Sequence, residues 1–482
     1  MHGSIATEIR RAGGRADPWT LATAGWPRWL GHGPDRLPVD GPPSTVGAAL
    51  AARSPRVVGL GLVALAAVVY LASNPLHPDV YNHFVWQADA WLHGRLAIAY
   101  PVSHGPHQND YFQDVMPDPG HPGLGVLPFP PLPALVLLPF VALLGLATPA
   151  ALLAALLGAI DVGLAWRLCR RLAADRGVAL AATLFFAFGT VAWYAAAIGS
   201  TWFLAHVVAL GLSLLAATLA IDGELARQAP RRGTASPLAT PAPGRVDGRA
   251  FVAALLLGLA TLSRLTVVFG APFLLAVGSG TWRSRLVSVA IGLAIPLVAL
   301  AAYNVASTGQ LFNPAYAVIA RAEYHPVPAL YHADWGVEDL RYIPQNLLLV
   351  LFNPPVVHPA CGPAILDPTC GTLRPDPIGM SLLLTSPAYL LALPALRRPR
   401  RDRVVAGAAL AVLLVALADL AHFSQGWVQF GWRFSNDFAP FALVLVTLTM
   451  ARLGLSRRVL FLVGLSILVN LWGVYWGVSL GW

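Results

Sequence analysis

The sequence NPLHPDVYNHFVWQADAWLHGRL, residues 74–96, decides the fold, because this polar segment directly follows the first apolar run of the chain. Taken as a helix at about 100° per residue, residues 79–93 divide into a polar and an apolar face. Such a helix is predicted to lie on a membrane surface, with its apolar face in lipid and its carboxylates and imidazoles in water. The polar face carries Asp79, Asn82, His83, Gln87, Asp89 and His93.

The composition of the whole chain identifies its class. Of 482 residues, 56% are hydrophobic and 11% are charged, and the mean hydropathy is +0.63. These values are far too apolar for a soluble globular protein. The net charge is +9 and every one of the 32 basic residues is Arg, in a chain rich in Ala, Gly and Pro, which is typical of a high-GC bacterial genome. Because the Arg residues lie in short loops between apolar runs, we expect no nucleic-acid partner.

The Arg-rich loops predict an all-α, polytopic fold with about 11 transmembrane helices. Loops rich in Arg are expected on the cytoplasmic side of the plasma membrane. The N-terminus is then cytoplasmic, with residues 1–56 as a disordered tail, and the C-terminus is extracytoplasmic. Residues 57–480 form the membrane domain, with external loops at 74–148 and 305–378. The predicted spans are 57–73, 149–167, 178–197, 203–221, 250–264, 265–279, 286–304, 379–396, 404–421, 435–452 and 459–480.

Two apolar segments need separate treatment. If residues 132–146 crossed the membrane, the later Arg-rich loops would move to the outside, so we predict an interfacial or re-entrant helix there. The run 250–279 is long for one span, and an Arg at its middle would be costly in lipid. Dividing the run at Arg264 places that side chain at the outer end of two short helices.

Cysteine positions agree with this topology. Cys361 and Cys370 lie nine residues apart in the external loop and form a candidate disulfide. Cys169 falls in a predicted cytoplasmic loop, where a thiol stays reduced.

The polar first loop limits the possible chemistry. The chain contains no GxxxxGK[ST] and no GxGxxG opening a βαβ unit, so any transferred group is expected to arrive within the membrane. A lipid-linked substrate would place a phosphate at the interface, where Arg side chains bind it well. A carboxylate of the first loop could then take a proton from an acceptor hydroxyl. The external Arg residues are Arg95, Arg264, Arg341 and Arg433.

A divalent metal ion is a further candidate cofactor. Asp79 and His83 have the i, i+4 spacing that lets two ligands share one face of a helix. Histidines scattered through loops are more often only polar, so both interpretations stay open.

Three further motifs carry a resemblance to a known family. These are PPLPALVLLPFVALLG at 130–145, GLATLSRLT at 258–266 and GWRFSNDFAPF at 431–441. With the first loop, they resemble the C superfamily of integral-membrane glycosyltransferases, in particular relatives of the protein mannosyltransferase and aminoarabinose transferase type. In that family a catalytic Asp begins the interfacial helix and a Gly ends it, as Asp79 and Gly94 do here.

The resemblance implies transfer of a sugar from a polyprenyl-phosphate donor to an extracytoplasmic hydroxyl, with inversion at the anomeric carbon. The acceptor would be a glycan, lipid or protein, and membrane lipid would surround the site. Asp79 or Asp89 would act as general base. The family usually has a second acid where Val80 stands, so Asp110 and Asp114 are alternatives. Candidate substrate-binding residues are His83, Arg95, Asp110, Asp114, Arg264, Trp432, Arg433 and Asp437.

Two other classes of protein stay open. A secondary transporter or lipid flippase normally places ionisable groups near the bilayer midplane and shows internal symmetry, whereas the polar residues here concentrate in one external loop. A non-catalytic scaffold of the cell envelope would explain everything except the carboxylates beside an interfacial helix.

Overall fold

The structure, a computed structural model, describes most of the chain. The residues described are 44–75, 81–99, 114–118, 120–121, 123–228, 246–323, 332, 334–357, 373–397, 402–426 and 428–481. Asp79, Asp110, Cys361 and Cys370 lie outside these ranges. The Cys361–Cys370 disulfide and the roles given to the two Asp residues therefore stay predictions.

Within these ranges the chain is almost entirely helical, which confirms the predicted fold class. In chain order the α-helices are α1 (Thr45–Ala51), α2 (Pro55–Ser73), α3 (His83–Leu92), α4 (Leu132–Leu144), α5 (Ala150–Leu172), α6 (Arg176–Phe188), α7 (Ala192–Ile198), α8 (Thr201–Gln228), α9 (Gly248–Thr261), α10 (Ala271–Ala276), α11 (Trp282–Thr308), α12 (Ala315–Glu323), α13 (Ile343–Phe352), α14 (Leu382–Thr385), α15 (Arg403–Leu420), α16 (Ser435–Leu453) and α17 (Arg457–Ser479). Four 3-10 segments cover Gly145–Ala147, Leu265–Gly270, Leu340–Tyr342 and Pro387–Arg397.

Short strands occur in two places. In the first loop, β1 (Ile98–Ala99), β2 (Met116–Pro117) and β3 (Leu124–Val126) form an antiparallel sheet in the order β1-β3-β2, with Ile98 opposite Gly125 and Met116 opposite Val126. In the second loop, β4 (Val356–Val357) pairs antiparallel with β5 (Leu373–Arg374).

The helices form a multi-pass membrane bundle. Among the described residues, seven helices are long and apolar enough to cross a membrane, and the pair α6–α7, bent by 48°, makes an eighth. Of the seven long helices, α16 and α8 are the most buried, whereas α2 and α11 are the least. The bundle is therefore built around α16 and α8, and α2 and α11 present apolar side chains to lipid.

The Arg-bearing loops meet at one end of the bundle, which we call the Arg-rich end. Helix N-caps lie there too: Asp175 caps α6, Asp247 caps α9 and Asp402 caps α15, each accepting a hydrogen bond from a free backbone N–H. The contacts that join these loops run from Arg176 Nη1 to the Leu50 carbonyl (2.7 Å), Arg171 Nε to Asp222 Oδ1 (2.8 Å), Arg403 Nη2 to Glu224 Oε2 (2.8 Å) and Arg452 Nη2 to Asp402 Oδ2 (4.0 Å).

Three of the eleven predicted spans do not reach full length. They correspond to α9, to Leu265–Ala276, and to α14 with Pro387–Arg397. The segment Leu265–Ala276 still connects both ends of the bundle. Arg264, just before it, binds Asp437. The Gly278 N–H, just after it, donates to Glu224 at the Arg-rich end at 3.4 Å. A 3-10 helix rises about 2.0 Å per residue against 1.5 Å for an α-helix, so the mixed segment reaches further than its length indicates. The predicted break at Arg264 is present, because this residue has extended backbone.

Helix α4 does not cross, as predicted for residues 132–146. The Leu132 N–H donates to the Leu262 carbonyl (2.9 Å), and α5 starts a few residues after α4 beside Gly199. Both ends of α4 therefore lie at the end of the bundle opposite the Arg-rich loops, which we call the loop end.

The predicted amphipathic helix exists but is shorter and differently placed. It runs from His83 to Leu92, and Gly94 after it has a φ of +69°, a conformation that favours glycine. His83 and Gln87, predicted to face water, are almost completely buried. The prediction of their exposure was wrong because the first loop folds back over α3 and because α3 packs against α4 and the start of α8.

Two predictions at the Arg-rich end also need correction. The last part of the supposed disordered tail forms α1, which is docked because Ser44 donates from N and Oγ to Asp175 at 2.7 Å each. Cys169 was predicted in a loop but lies inside α5. Its free thiol is buried there, 3.5 Å from Thr447 Oγ1.

Candidate active site

A fully buried carboxylate organises the loop end of the bundle. Asp437, in the first turn of α16, accepts from Nε and Nη2 of Arg264 at 3.0 and 2.9 Å and from Thr266 Oγ1 at 2.8 Å. Its other oxygen lies 2.8 Å from Nδ1 of His206 on α8. An acid in the first turn is favoured by the helix dipole. Asp437 therefore holds Arg264 in place, and its direct contact with a substrate stays a prediction.

Two guanidinium groups lie close to one aromatic ring beside this carboxylate. The Cζ atoms of Arg264 and Arg433 lie 4.9 and 5.4 Å from the centre of the Phe434 ring. Arg433 also lies 5.7 Å from the Phe203 ring centre. Cation–π contacts of this kind hold Arg side chains in low-dielectric surroundings. Two of the predicted phosphate-binding residues are thus brought together at the start of α16.

Asp114, in the first loop, contacts Trp202, the residue before the Phe203 ring that Arg433 approaches. It is 9% exposed, and its Oδ2 accepts a hydrogen bond from Trp202 Nε1 at 2.9 Å. Its backbone has a φ of +67°, which is uncommon for a residue other than glycine. Burial raises the pKa of this carboxyl above its usual range, and the Trp202 hydrogen bond and the charges of Arg433 and His422 only partly offset that rise. A buried acid with a raised pKa beside cations is typical of a general base.

A histidine–glutamate pair lies beside the Phe434 ring. His422 follows α15, and its Nδ1 lies 2.6 Å from Oε1 of Glu338 in the second loop. The His422 ring packs against Tyr316, Phe423 and Phe434, at centroid distances of 5.3, 4.8 and 6.2 Å.

His83 lies in an aromatic cluster and not on a water-facing surface. Its Nδ1 is 3.0 Å from Thr201 Oγ1, and its ring lies 5.1 Å from Trp86 and 5.7 Å from Trp202. Among the described residues no three His, Cys, Asp or Glu side chains are grouped to hold a metal ion. Asp79, the other candidate ligand, lies outside those residues, so the metal site stays a prediction.

Asp89 has different surroundings from Asp114. It lies on α3 with a side chain 22% exposed, and it pairs with His93 one turn later at 3.5 Å. Of the two carboxylates that the structure describes as candidate bases, Asp114 is the buried one, and the charge of Arg433 lowers its pKa.

A groove of about 510 Å³ opens between the first loop and α11. It contains Arg95, one of the predicted substrate-binding residues, among mostly apolar side chains. Gln87 donates to the Tyr303 hydroxyl at 2.6 Å at its edge. The residues that line it are Trp91, Gly94, Arg95, Leu96, Pro131, Leu135, Leu262, Ala299 and Tyr303.

The remaining predicted residue, Trp432, is packed inside the bundle. It is 2% exposed, its Nε1 donates to Gln425 Oε1 at 2.8 Å, and its ring lies 5.7 Å from Phe438. Contact of Trp432 with a substrate stays a prediction.

The sequence patterns did not indicate His422, Glu338 or Trp202 as residues of the site. The position of His422 immediately after an apolar run and before the GWRFSNDFAPF motif was the available signal. Glu338 has no such signal in the sequence, because it meets His422 only through the fold of the second loop, 84 positions away along the chain.

Comparison with known proteins gives one structural likeness. No protein-family model matches the chain, and no curated protein matches it in sequence. A crystal structure of ArnT from Cupriavidus metallidurans bound to undecaprenyl phosphate is similar, with a TM-score of 0.47 and 13% identity over 91% of this chain and 77% of that chain. At this level the likeness concerns overall shape alone and assigns no residue, donor or reaction to this protein.

Proposed function

We propose that this protein is a membrane glycosyltransferase that moves a sugar from a polyprenyl-phosphate donor to a hydroxyl on the extracytoplasmic side, with inversion. The observation that carries the proposal is the pair of guanidinium groups, Arg264 and Arg433, at the Phe434 ring, at the end of the bundle where the buried Asp114 carboxyl binds Trp202. The family resemblance of the first loop and of the GWRFSNDFAPF motif supports the same reaction.

The proposed mechanism is a single displacement. Arg433, with Arg264 held by Asp437, neutralises the donor phosphate, because guanidinium groups bind phosphate oxygens in pairs. The groove beside Arg95 takes the start of the polyprenyl chain. A carboxylate removes the proton of the acceptor hydroxyl while its oxygen attacks the anomeric carbon from the side opposite the phosphate, and the phosphate leaves with the bonding electron pair. Inversion follows from that geometry.

Two residues are candidates for the base. Burial and the Trp202 hydrogen bond favour Asp114, whereas the family resemblance favours Asp79. Tyr81, two residues after Asp79, packs against Trp202 at a ring distance of 5.3 Å, and Trp202 binds Asp114. We therefore propose that both acids serve the same reaction and that Asp114 takes the proton.

The position of the Arg-rich end indicates on which side of the membrane the reaction takes place. Arg-rich loops stay in the cytoplasm, so we propose that the loop end, with Asp114 and Arg433, faces the extracytoplasmic side. The acceptor then meets the donor outside the cytoplasm.

The test is release of polyprenyl phosphate by the purified full-length protein in nanodiscs, given a panel of polyprenyl-phosphate sugars and cell-envelope glycans. A general base contributes about 10² to 10⁴ in rate, so we expect Asp114→Asn to lose that much turnover. Asp118→Asn, a partly exposed acid four residues away, is the matched control, and Asp79→Asn is the second arm. Undiminished release by an Asp79→Asn, Asp114→Asn double variant would reject the mechanism.

The same assay separates the other classes. A transporter or flippase moves the intact donor across vesicles and releases no polyprenyl phosphate. A scaffold tolerates both substitutions without loss of function in cells.

A further inference from the structure

Helix α13, in the second loop, is too short to cross a membrane. Its 10 residues extend for about 15 Å, half of the hydrocarbon layer of about 30 Å. Residues 305–378 are predicted as an external loop, which would place this helix in water. Its surface chemistry does not fit such surroundings.

The face of α13 that points away from the bundle is almost entirely apolar. Leu348 and Phe352 are 64% and 67% exposed, and Gln345 is the polar residue among the exposed ones. The opposite face packs on the bundle through the buried Asn346 and Val350. An exposed apolar face on a short helix is costly in water and is typical of an interaction surface.

Both ends of α13 are fixed at the loop end of the bundle. Near its start, Asn346 Nδ2 donates to the carbonyl of Leu420, the last residue of span α15, at 2.8 Å. After its end, Asn353 Nδ2 donates to the Gly379 carbonyl at 2.6 Å, and Gly379 packs against Gln429 in the loop between α15 and α16. A helix fixed at both ends at one level lies along the end of the bundle and does not cross the bilayer.

The apolar face of α13 lies between two surfaces that face lipid. Span α15 exposes Leu410, Leu413 and Leu417 at helical spacing, and this stripe leads to the end of the span where Asn346 binds. On the other side, Leu384 of α14 and Leu393 of the 3-10 segment after it are also exposed. The exposed side chains of α13 therefore continue a lipid-facing surface.

We propose that α13 anchors the second loop in the membrane leaflet at the loop end, with phospholipid acyl chains covering its exposed apolar face. Interfacial helices lie with that face about 5 to 10 Å inside the headgroup boundary. The ion pair of Arg341 with Asp339, 2.8 Å long and just before α13, stays on the water side. Because Asn346 also donates to the His422 carbonyl at 2.7 Å, the anchor fixes the height of the second loop at the candidate site. This inference does not depend on the proposed reaction.

The test is quenching of a bimane label on single cysteines of the full-length protein, in nanodiscs of phosphatidylcholine with brominated acyl chains. The test positions are Leu348→Cys and Phe352→Cys. Val298→Cys, 67% exposed in span α11, is the matched lipid control, and His121→Cys, with a side chain 72% exposed in the first loop, is the water control. We expect quenching at both test positions to be similar to that at Val298 and several times that at His121.

Bromines at two positions along the acyl chain also report the depth of each label. A helix that lies in the interface places the labels at Leu348 and Phe352 at similar depths. A helix that enters the membrane end-on separates them by about 6 Å, four residues at 1.5 Å each, and that separation would overturn the inference.

Two further outcomes would overturn it. Lipid quenching at the test positions no stronger than at His121, with strong quenching by aqueous iodide, would mean that the face lies in water. Weak quenching by both agents would mean that protein, from this chain or from a second copy, covers the face. If the labelled variants do not fold without the native cysteines, p-benzoylphenylalanine at Leu348 in the otherwise unchanged chain should cross-link to lipid, and cross-linking to protein alone would reject the anchor. None of these measurements needs turnover, so failure of the proposed function is seen separately.

Discussion

The hydrogen bond from Trp202 Nε1 to Asp114 Oδ2, 2.9 Å long, joins the start of a membrane helix to the first loop. It also lowers the pKa of a carboxyl that burial raises.

Replacing this donor should move the pH dependence of the reaction. In Trp202→Phe the bond that favours the ionised carboxylate is lost, so the pKa of Asp114 rises further. A general base works when deprotonated, hence activity disappears as pH falls through that pKa, and the acidic limb of the profile should shift to higher pH. The measurement is kcat against pH, with Trp282→Phe at the Arg-rich end, 63% exposed, as the control. An unchanged acidic limb in Trp202→Phe would argue against Asp114 as the base.

Arg433 should contribute mainly to donor binding. A hydrogen bond to a charged group is worth about 1.5 to 3 kcal/mol, so Arg433→Ala should raise the KM for the donor by roughly tenfold or more. Steady-state kinetics with a fixed acceptor gives this value. Arg452→Ala, at the Arg-rich end, removes the same charge and should leave the KM unchanged. Equal KM values for Arg433→Ala and wild type would remove Arg433 from the donor site.

Asp437 should matter more for stability than any surface acid. Asp437→Asn removes the buried carboxylate that pairs with Arg264. Breaking a fully buried pair costs about 3 to 5 kcal/mol, and because the Arg264 side chain is 22% exposed, we expect a loss near the lower end of that range. We expect a marked fall in melting temperature, followed by intrinsic Trp fluorescence in detergent. Asp118→Asn, which removes the charge of a partly exposed acid, should melt like the wild type. Coincident melting of all three proteins would contradict the structural role of Asp437.

The orientation of the bundle can be tested by labelling single cysteines in a variant without native Cys. Leu340, at the loop end, and Trp282, at the Arg-rich end, are 74% and 63% exposed. Leu340→Cys should react with a membrane-impermeant maleimide in intact cells, and Trp282→Cys only after the cells are permeabilised. The reverse pattern would mean that the topology is inverted.

The sequence predicts the bundle well because apolar runs and Arg-rich loops are local signals. The long helices such as α5 and α17 lie where hydropathy places them. The short segment Leu265–Ala276 was predicted as a separate span only because of Arg264. An Arg in the middle of a longer span would be costly in lipid, so the apolar run had to be divided there.

The sequence predicts site residues only where a residue would be energetically costly at its position without a partner. Arg264 and Arg433 stand out because an Arg beside an apolar run needs a partner. His422 and Glu338 are polar loop residues like many others, and tertiary folding alone brings them together. The burial of His83 and Gln87 was missed for a similar reason, since periodicity reports two faces of a helix but not which face a returning loop covers.

The left-handed backbone at Asp114 also limits how this position can change during evolution. Asn and Gly are the other residues that adopt such a conformation readily, so drift at this site can keep the loop intact while removing the acid. On the proposed mechanism, a homologue with Asn or Gly here would keep the fold and have lost turnover. The identity of this one residue would then separate active enzymes from inactive paralogues.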